Sequence, residues 1–313
     1  MKNKIIIDTD PGQDDAVAIL LALASTEEID VLGIVAVAGN VGLAQNVRNA
    51  RKVVELSGRT TTPIYAGCER PIRRKLVTAE HVHGESGLDG PKLPDPTIEI
   101  QPQHGVDFLI ERLTKEPAGS VTICALGPLT NIAMAMIKAP AIIRRIRKIV
   151  LMGGAYFEGG NITPTAEFNI YVDPEAADVV MKSGVDIVML PLDVTHQMLA
   201  TRERIAAIKA NGNASSLAVT AMLEFSERFD LGKYGWPGAP LHDPCVIAYL
   251  LKPDLFEGRH INVSIETSSE LTMGMTVADY WGVTSRVKNC TYIRSGDADG
   301  FYKLLTERLK RLP

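Results

Sequence analysis

The chain has 313 residues and a formal net charge of -4, with 33 Lys and Arg residues against 37 Asp and Glu residues. Hydrophobic residues make up 46% of the chain and charged residues 22%, a composition that supports a large buried core and excludes intrinsic disorder. The slight acidic excess argues against a surface that coats nucleic acid or binds an anionic membrane, since either would need a basic excess.

Short apolar runs alternate with longer amphipathic segments over the first 190 residues. The predicted strands are residues 5–7, 31–37, 121–126, 149–152 and 187–190. The predicted helices between them are residues 14–24, 44–56, 106–113, 129–137 and 174–181. Strands that are apolar at every position are typical of a parallel sheet that is buried on both faces. We therefore predict an α/β fold of three α/β/α layers around a mostly parallel, doubly wound central sheet.

The pattern changes after residue 193, where three further helices are predicted at residues 201–210, 215–229 and 243–251. A Gly/Pro-rich segment, 232–240, separates the last two and is either a lid over a site or an ordinary surface loop. One more strand at 260–266 and a closing helix at 299–312 follow. No repeat or linker divides the chain, so we predict one domain over residues 1–313, with these extra C-terminal helices.

The cysteines and the apolar segments indicate a compartment. Cys68, Cys124, Cys245 and Cys290 are far apart and form no C-x-x-C pair, so we predict reduced thiols in the core rather than disulfides or a zinc site. No apolar stretch at the N-terminus has the length of a signal peptide, and no run approaches 18 apolar residues. We expect a soluble, cytoplasmic protein without membrane partners.

Four carboxylates lie within eight residues, at Asp8, Asp10, Asp14 and Asp15, between the first predicted strand and the first helix. Ligands of open α/β sheets bind beyond the carboxyl ends of the strands, where this segment falls. Helix capping accounts for one or two of these acids but not for four. Clustered carboxylates repel one another unless a cation neutralises them, and oxygen ligands suit Ca²⁺ or Mg²⁺ better than zinc. The sequence therefore predicts a divalent-metal site.

Two other segments are candidates for the same site. His242 and Asp243 follow the Gly/Pro-rich segment and precede a predicted helix, although a structural histidine and a helix cap are the alternatives. Residues 161–169 place polar side chains around an aromatic one, which suits either a polyhydroxyl ligand or an ordinary loop. The chain has no G-x-G-x-x-G, Walker or H-E-x-x-H motif, and residues 84–88 lack the last glycine of a nucleophile elbow. Nucleotide-cofactor enzymes, zinc proteases and serine hydrolases are therefore not indicated.

An ordered set of motifs extends across the chain. They are D-x-D-P-G-x-D-D at 8–15, A-G-N at 38–40, H-G-E-S-G at 83–87, L-G-P-L-T-N at 126–131, M-G-G at 152–154, A-E-F-N at 166–169 and H-D-P at 242–244. In these motifs, and in residues 274–279, the chain resembles the nucleoside hydrolases, which cleave the N-glycosidic bond of ribonucleosides. The resemblance covers nearly the whole sequence.

This resemblance implies a Ca²⁺ site and two catalytic residues. The ion would be held by the side chains of Asp10, Asp15 and Asp243 and by the backbone carbonyl of Leu126. Asp10 would be the general base. His242 would donate a proton to the leaving base, with an imidazole pKa near neutrality.

The resemblance also implies which residues bind the nucleoside. The 2′- and 3′-hydroxyls would be held by Asp14, Asn40, Asn169 and Asp243, the 5′-hydroxyl by Asn161 and Glu167, and the sugar ring by Met152 and Phe168. Tyr234, together with Phe229 and Trp236, is a candidate for stacking on the base. His83 resembles a pocket histidine of members that accept pyrimidines; its alternative is a loop histidine oriented by Glu85.

The predicted function is Ca²⁺-dependent hydrolysis of ribonucleosides in nucleoside salvage. Residues 83–90 and 238–243 are most similar to pyrimidine-preferring bacterial members, so uridine and cytidine are the expected substrates. The alternatives are a broader inosine–uridine hydrolase and, in a different class, a Ca²⁺-dependent ribose or nucleoside binding protein without turnover. By the same resemblance the protein is expected to be a homo-oligomer, a dimer or a tetramer.

Overall fold

The computed structural model describes residues 2–313, apart from the side chains of residues 229–234. The strands of the described chain are β1 Asn3–Thr9, β2 Ile29–Ala36, β3 Ile64–Ala66, β4 Val121–Ala125, β5 Ile146–Met152, β6 Ile187–Leu190, β7 Leu199–Thr201, β8 Gly238–Pro240, β9 Phe256–Ile261, β10 Val263–Ile265, β11 Thr276–Ala278 and β12 Cys290–Gly296. Eight of them form one sheet in the order β3-β2-β1-β4-β5-β6-β12-β9. Every pairing in this sheet is parallel except that between β9 and β12.

Helices cover both faces of this sheet. They are α1 Gln13–Ala24, α2 Leu43–Leu56, α3 Glu80–His83, α4 Gly105–Lys115, α5 Thr130–Lys138, α6 Phe168–Val172, α7 Pro174–Met181, α8 Leu192–Thr195, α9 Arg202–Lys209, α10 Ala214–Tyr234, α11 Pro244–Leu251 and α12 Ala298–Leu309. Two 3₁₀ turns, Pro140–Arg145 and Pro253–Leu255, connect helices to strands. None of the described helices is long and apolar enough to cross a membrane.

Strand β1 shows why the apolar runs predict a layered fold. Ile5 and Ile7 pack into one hydrophobic core, together with residues of α1, α2, α11 and α12, whereas Ile6 packs into a second core with residues of α4, α5 and α7. Successive side chains of a strand point to opposite faces, so a strand that is apolar at each position needs both faces covered. The predicted three-layer α/β fold with a mostly parallel, doubly wound sheet is confirmed.

The chain order of the strands creates a crevice beside β1. From β1 the chain continues to β2 and β3 on one side, whereas β4, β5 and β6 lie on the other side. The loops that follow β1 and β4 therefore lead to opposite faces and leave a gap at the carboxyl end of the sheet, where Asp8 is paired with Ala125. Such a switch point is the usual ligand site of a doubly wound sheet.

The C-terminal part departs from the sequence prediction. The strand expected at 260–266 is split into β9 and β10, which belong to different sheets. Strand β12 was not predicted; it lies between β6 and β9, and it alternates buried and partly exposed residues at its start. Within the Gly/Pro-rich segment, α10 continues to Tyr234 and β8 pairs antiparallel with β7, so the segment is not a loop throughout.

The four cysteines are free, and Cys124, Cys245 and Cys290 are buried. Burial raises the pKa of each of these three thiols, which keeps them protonated. The prediction of reduced core thiols is confirmed for these three, whereas Cys68 is half-buried. The assignment of residues 1–313 to one domain stays a prediction.

Candidate active site

Asp15 organises the loop that joins β1 to α1. Its carboxylate accepts hydrogen bonds from the Thr9 hydroxyl at 2.5 Å, from the Asp10 backbone N–H at 3.2 Å and from the Gly12 backbone N–H at 3.0 Å. An acid in the first turn that accepts from the loop N–H groups stabilises a helix start. Capping therefore accounts for Asp15 in part, but not for the acids around it.

Asp10 lies against the loop that follows β2. Its Oδ2 accepts a hydrogen bond from the Asn40 backbone N–H at 2.7 Å. The Asn40 side-chain amide in turn donates to the Asp10 carbonyl at 3.0 Å and to Asp15 Oδ2 at 3.3 Å. The other carboxylate oxygen of Asp10, Oδ1, is buried and has no hydrogen-bond partner in the described chain.

A cluster of acids completes this edge of the sheet. Asp14, Asp15 and Asp243 each place one carboxylate oxygen within 4.8 Å of the others. Burial, followed by repulsion from Asp14, raises the pKa of Asp15 to about 6. Burial likewise raises the pKa of Asp10 and of Asp243 well above the ordinary range, and repulsion from neighbouring acids adds to it.

The oxygen atoms at this edge of the sheet suit a bound cation. A buried carboxylate oxygen without a donor, next to several carboxylates that repel one another, has the chemistry of a site for a hard divalent cation. The Leu126 carbonyl lies on the same edge and accepts from the Asn169 side-chain amide at 2.7 Å. Asp14, Asp15 and Asp243 therefore fit a cation of this kind, and the unpartnered Asp10 Oδ1 and the Leu126 carbonyl are further oxygens at the same edge.

A cavity opens above the acids. The residues that were expected to bind substrate or metal and that line it are Asp14, Asn40, His83, Leu126, Met152, Asn161, Glu167, Phe168, Asn169, His242 and Asp243. A concave site lined by apolar residues and a few convergent polar groups is typical of a small-molecule site. The structure thus brings together residues that are up to 229 positions apart, from Asp14 to Asp243.

His242 is held from the short helix α8. Its Nδ1 lies 2.7 Å from the Thr195 hydroxyl, so Nε2 is the ring nitrogen that does not take part in this contact. Burial, followed by repulsion from His196 and His83, lowers the pKa of His242 to about 3. The expectation of a pKa near neutrality is therefore wrong, because partial burial in the cavity wall removes hydration that stabilises the charged form of the imidazole.

His83 is the last residue of α3, and its ring is held by Gln13. The His83 Nδ1 lies 2.6 Å from Gln13 Oε1. The side-chain amide of Gln13 donates to the carbonyls of His83, at 2.9 Å, and of Asp89, at 3.0 Å. The alternative in which Glu85 orients this histidine is not what the structure shows.

Comparison with known proteins decides the family. The sequence pattern described as "Inosine-uridine preferring nucleoside hydrolase" matches residues 5–303. The chain belongs to this nucleoside hydrolase family. It is therefore an enzyme, an N-glycosidase that hydrolyses ribonucleosides.

Individual relatives cover nearly the whole chain. A Schizosaccharomyces pombe protein without an assigned function is 52% identical over 99% of this chain and 100% of its own length. The pyrimidine-specific ribonucleoside hydrolase RihA of Escherichia coli K12 is 46% identical over 98% of each chain. Among solved structures, the purine-preferring ribonucleoside hydrolase of Gardnerella vaginalis superposes with a TM-score of 0.91 at 31% identity, over 98% of each chain.

Sequence reasoning missed several residues around the cavity of this nucleoside hydrolase, including Gln13, Thr195 and His196. Gln13 and His196 line it, and Thr195 holds His242 from behind. Gln13 occupies the variable position of the D-P-G-x-D-D motif, so the motif itself gave no signal. Thr195 and His196 are two polar residues shortly after the buried strand β6, and this position was the available signal. The expected base-stacking residues Phe229 and Tyr234 lie outside the described side chains.

Glu167 accepts hydrogen bonds from the backbone and also lines the cavity. Its Oε1 accepts from the Asn169 N–H at 2.8 Å, and its Oε2 accepts from the N–H groups of Gly154 at 2.9 Å and Ile170 at 3.2 Å. Glu167 therefore caps α6 and fixes the turn after β5. In this nucleoside hydrolase the carboxylate shapes the wall of the cavity, whichever substrate group it also contacts.

The pH dependence of stability should reveal the buried Glu167. Burial, opposed by the backbone hydrogen bonds, raises its pKa from 4.5 to about 7. The folded state then holds a proton that the unfolded chain has released, so this contribution to stability is full below about pH 4.5 and is lost as the pH rises to about 7. We expect Glu167→Gln, which cannot ionise, to remove this fall, which is at most about 3 kcal/mol.

Urea unfolding of both proteins between about pH 4.5 and pH 8, in the presence of a chelator, measures the effect. Glu99→Gln, on the exposed surface, removes one carboxylate without a buried partner and is the matched control. An unchanged pH slope in Glu167→Gln would show that the buried carboxyl is not a source of it.

Proposed function

We propose that the protein is a Ca²⁺-dependent ribonucleoside hydrolase that prefers uridine and cytidine and releases the free base and ribose. One observation carries the proposal. The carboxylates of Asp14, Asp15 and Asp243 lie within 4.8 Å of one another beside the cavity, and the buried Asp10 Oδ1 has no partner in the described chain. A site of this kind, at the switch point of the sheet, suits a hydroxyl-rich ligand together with a hard cation.

Calcium is proposed because the available ligands are all oxygens. Carboxylates and a backbone carbonyl suit Ca²⁺, which accepts more ligands and a less regular geometry than Mg²⁺. When bound, the ion supplies positive charge that neutralises the clustered acids and binds hydroxyl oxygens. Asp10, Asp15, Asp243 and the carbonyl of Leu126 are the proposed ligands.

Asp10 is the proposed general base. In the reaction a water oxygen attacks the anomeric carbon, the C–N bond to the base breaks, and Asp10 takes a proton from the water. The sugar passes through a state with positive charge at the ring, as in other glycoside cleavage. The carboxylates of Asp14 and Asp243 are already in place beside the cavity. They therefore stabilise this charge without the cost of reorganising solvent.

His242 is the proposed donor to the departing base. The Thr195 hydroxyl, 2.7 Å from Nδ1, is proposed to donate to it, which places the hydrogen of the neutral ring on Nε2. A pKa of about 3 means that the ring enters the reaction neutral, so it offers a hydrogen bond to the charge that develops on the base rather than starting as an imidazolium. This role differs from that of a histidine poised near neutral pH.

The remaining lining residues are proposed to position the nucleoside. The 2′- and 3′-hydroxyls are assigned to Asp14, Asn40, Asn169 and Asp243, the 5′-hydroxyl to Asn161 and Glu167, the sugar ring to Met152 and Phe168, and the base to His83. Tyr234, whose side chain lies outside the described part of the chain, is a further proposed contact for the base. Contacts to hydroxyls away from the reacting bond orient the sugar and can be used to favour the transition state.

The pyrimidine preference is supported by the relatives. RihA of E. coli, named pyrimidine-specific, is 46% identical, whereas the Gardnerella enzyme, named purine-preferring, is 31% identical. A broader inosine–uridine specificity is the second candidate, because the matching family is described by that pair of substrates. We further propose a role in nucleoside salvage, a cytoplasmic location and a homo-oligomeric assembly.

The experiment is hydrolysis of uridine, cytidine, inosine and adenosine, each with and without a calcium chelator. We expect uridine and cytidine to be cleaved with the highest kcat/KM, and chelation to abolish turnover until Ca²⁺ is restored. Equal rates on inosine would favour the broader specificity. No turnover on any nucleoside would leave the binding-protein alternative, and turnover that resists chelation would refute the metal assignment.

Calcium should also stabilise the fold. A ligand that binds only the folded state adds about 2.7 kcal/mol to the free energy of unfolding at 100 times its dissociation constant. We expect a rise in Tm when Ca²⁺ is added to chelator-treated protein, and no such rise in Asp243→Asn. Asp254→Asn, an exposed substitution, is the control that should keep the rise. A wild-type Tm that does not change when Ca²⁺ is added would contradict the proposed site.

A further inference from the structure

Gln13 connects two parts of the chain that build one wall of the cavity. It is buried in the first turn of α1, 2% exposed, beside Asp14. It contacts both the ring and the carbonyl of His83, 70 positions away, and the carbonyl of Asp89. In the described part of the chain, no other side chain forms a hydrogen bond with the His83 ring.

The contacts determine which way the Gln13 amide faces. Carbonyl oxygens only accept, so the two carbonyls of His83 and Asp89 require the NH₂ group of Gln13. The reversed amide would place Oε1 against two other oxygens. Oε1 therefore faces the imidazole, and it can only accept a hydrogen there.

The protonation of His83 follows from this orientation. An acceptor 2.6 Å from Nδ1 requires the hydrogen on Nδ1. Burial also lowers the pKa of His83, which favours the neutral ring against the opposing attraction of Asp14 and Asp15. A neutral ring with its hydrogen on Nδ1 has an unprotonated Nε2.

We propose that Gln13 is a positioning residue that holds His83 as the Nδ1–H tautomer, so that His83 offers a hydrogen-bond acceptor to the cavity and not a proton. The two histidines then have different roles, His242 as hydrogen-bond donor and His83 as acceptor. Nδ1 of His242 contacts a hydroxyl, which can donate as well as accept, whereas Nδ1 of His83 contacts an oxygen that can only accept. His83 binds a donor group of the nucleoside, an N–H or O–H. The kinetic part of this inference rests on the proposed hydrolysis, whereas the tautomer does not.

The tautomer is tested first, by nitrogen NMR of ¹⁵N-histidine-labelled protein. The spectrum separates protonated from unprotonated ring nitrogens, and the His83→Phe spectrum identifies the signals among the six histidines. We expect Nδ1–H in the wild type and loss of that preference in Gln13→Met. A wild type with the hydrogen on Nε2, or a Gln13→Met protein with an unchanged tautomer, would overturn the proposal.

Kinetics then separate acceptor from proton donor. Uridine needs a proton or hydrogen bond on its leaving base, whereas 4-nitrophenyl riboside releases a stable phenolate without one. We expect Gln13→Met to lower kcat/KM for uridine by about 10- to 100-fold through a higher KM, because a displaced acceptor loses its contact to the nucleoside. A fall in kcat for uridine at an unchanged KM, with 4-nitrophenyl riboside unaffected, would show that His83 supplies the proton and would refute the acceptor role.

A matched variant separates the ring contact from simple anchoring of the loop. Asn49 holds the same loop to the motif at residues 8–15, since its amide donates to the carbonyls of Pro11 at 3.0 Å and Ser86 at 2.8 Å. These hydrogen bonds do not involve His83. We expect Asn49→Ala to keep the Nδ1–H tautomer and to lose a smaller factor in kcat/KM than Gln13→Met. A loss of the tautomer in Asn49→Ala would assign the effect to the loop instead of to Gln13. If the wild type turns over no nucleoside, the proposed function fails while the NMR result still stands.

Discussion

Asp10→Asn is expected to reduce kcat for uridine by about 1000-fold, within the range that a positioned general base contributes. Asparagine has nearly the volume of aspartate, and its Oδ1 can still accept the hydrogen bond from the Asn40 N–H, which is 2.7 Å long in the wild type. Its amide nitrogen would then take the place of Asp10 Oδ1, the buried oxygen without a partner. The variant keeps the packing and loses the carboxylate that is the proposed proton acceptor.

The variant is measured at saturating Ca²⁺, because Asp10 is also a proposed ligand. Single-turnover hydrolysis gives the rate, and equilibrium binding of uridine to the slow variant gives the affinity, which we expect to change by less than about 10-fold. Asp107→Asn, at an exposed ion pair with Lys138, is the control for removal of one aspartate. Near-normal turnover in Asp10→Asn would move the general-base role to another residue.

The fold was predictable wherever burial alone sets the pattern. The strands of the centre, such as β1 and β4, are buried on both faces, and only an uninterrupted apolar run satisfies that environment. Strand β12 carries Thr291 and Arg294 among its apolar residues, since it lies next to the edge strand β9 and is only partly covered. Its pattern is therefore close to that of a loop.

The candidate site was predictable where residues share one edge of the sheet. Asp10 follows β1 and Leu126 follows β4, and neighbouring parallel strands end at the same edge. The contact between Gln13 and His83 was not predictable, because it depends on the path of the chain between two residues that are 70 positions apart. The low pKa of His242 was equally hidden, since the sequence does not reveal how far the imidazole is removed from water.

Two glycines set the position of Asp10, and their replacement should remove activity without unfolding the protein. A Cβ atom on Gly39 would lie 2.0 Å from Asp10 Oδ2, and one on Gly127 would lie 2.3 Å from Asp10 Oδ1. Both distances are far inside van der Waals contact, so something must move. In both cases the nearest atom is the end of the Asp10 side chain, which can rotate away at less cost than the backbone can shift.

We therefore expect Gly39→Ala and Gly127→Ala to lower kcat/KM by about 100-fold or more, because a displacement of about 1 Å at a catalytic group has that effect. The Tm should fall by only a few degrees, as for a loss of about 1 kcal/mol. Gly42→Ala is the matched control, because its φ of -62° suits alanine and a Cβ there would meet nothing within 4 Å. Activity of the wild-type level in both glycine variants, measured with the Tm, would show that catalysis does not require the Asp10 carboxylate where the structure places it. A loss of activity that only accompanies unfolding would assign the two glycines to folding, whereas a loss in a folded protein ties the reaction to the position of that one carboxylate.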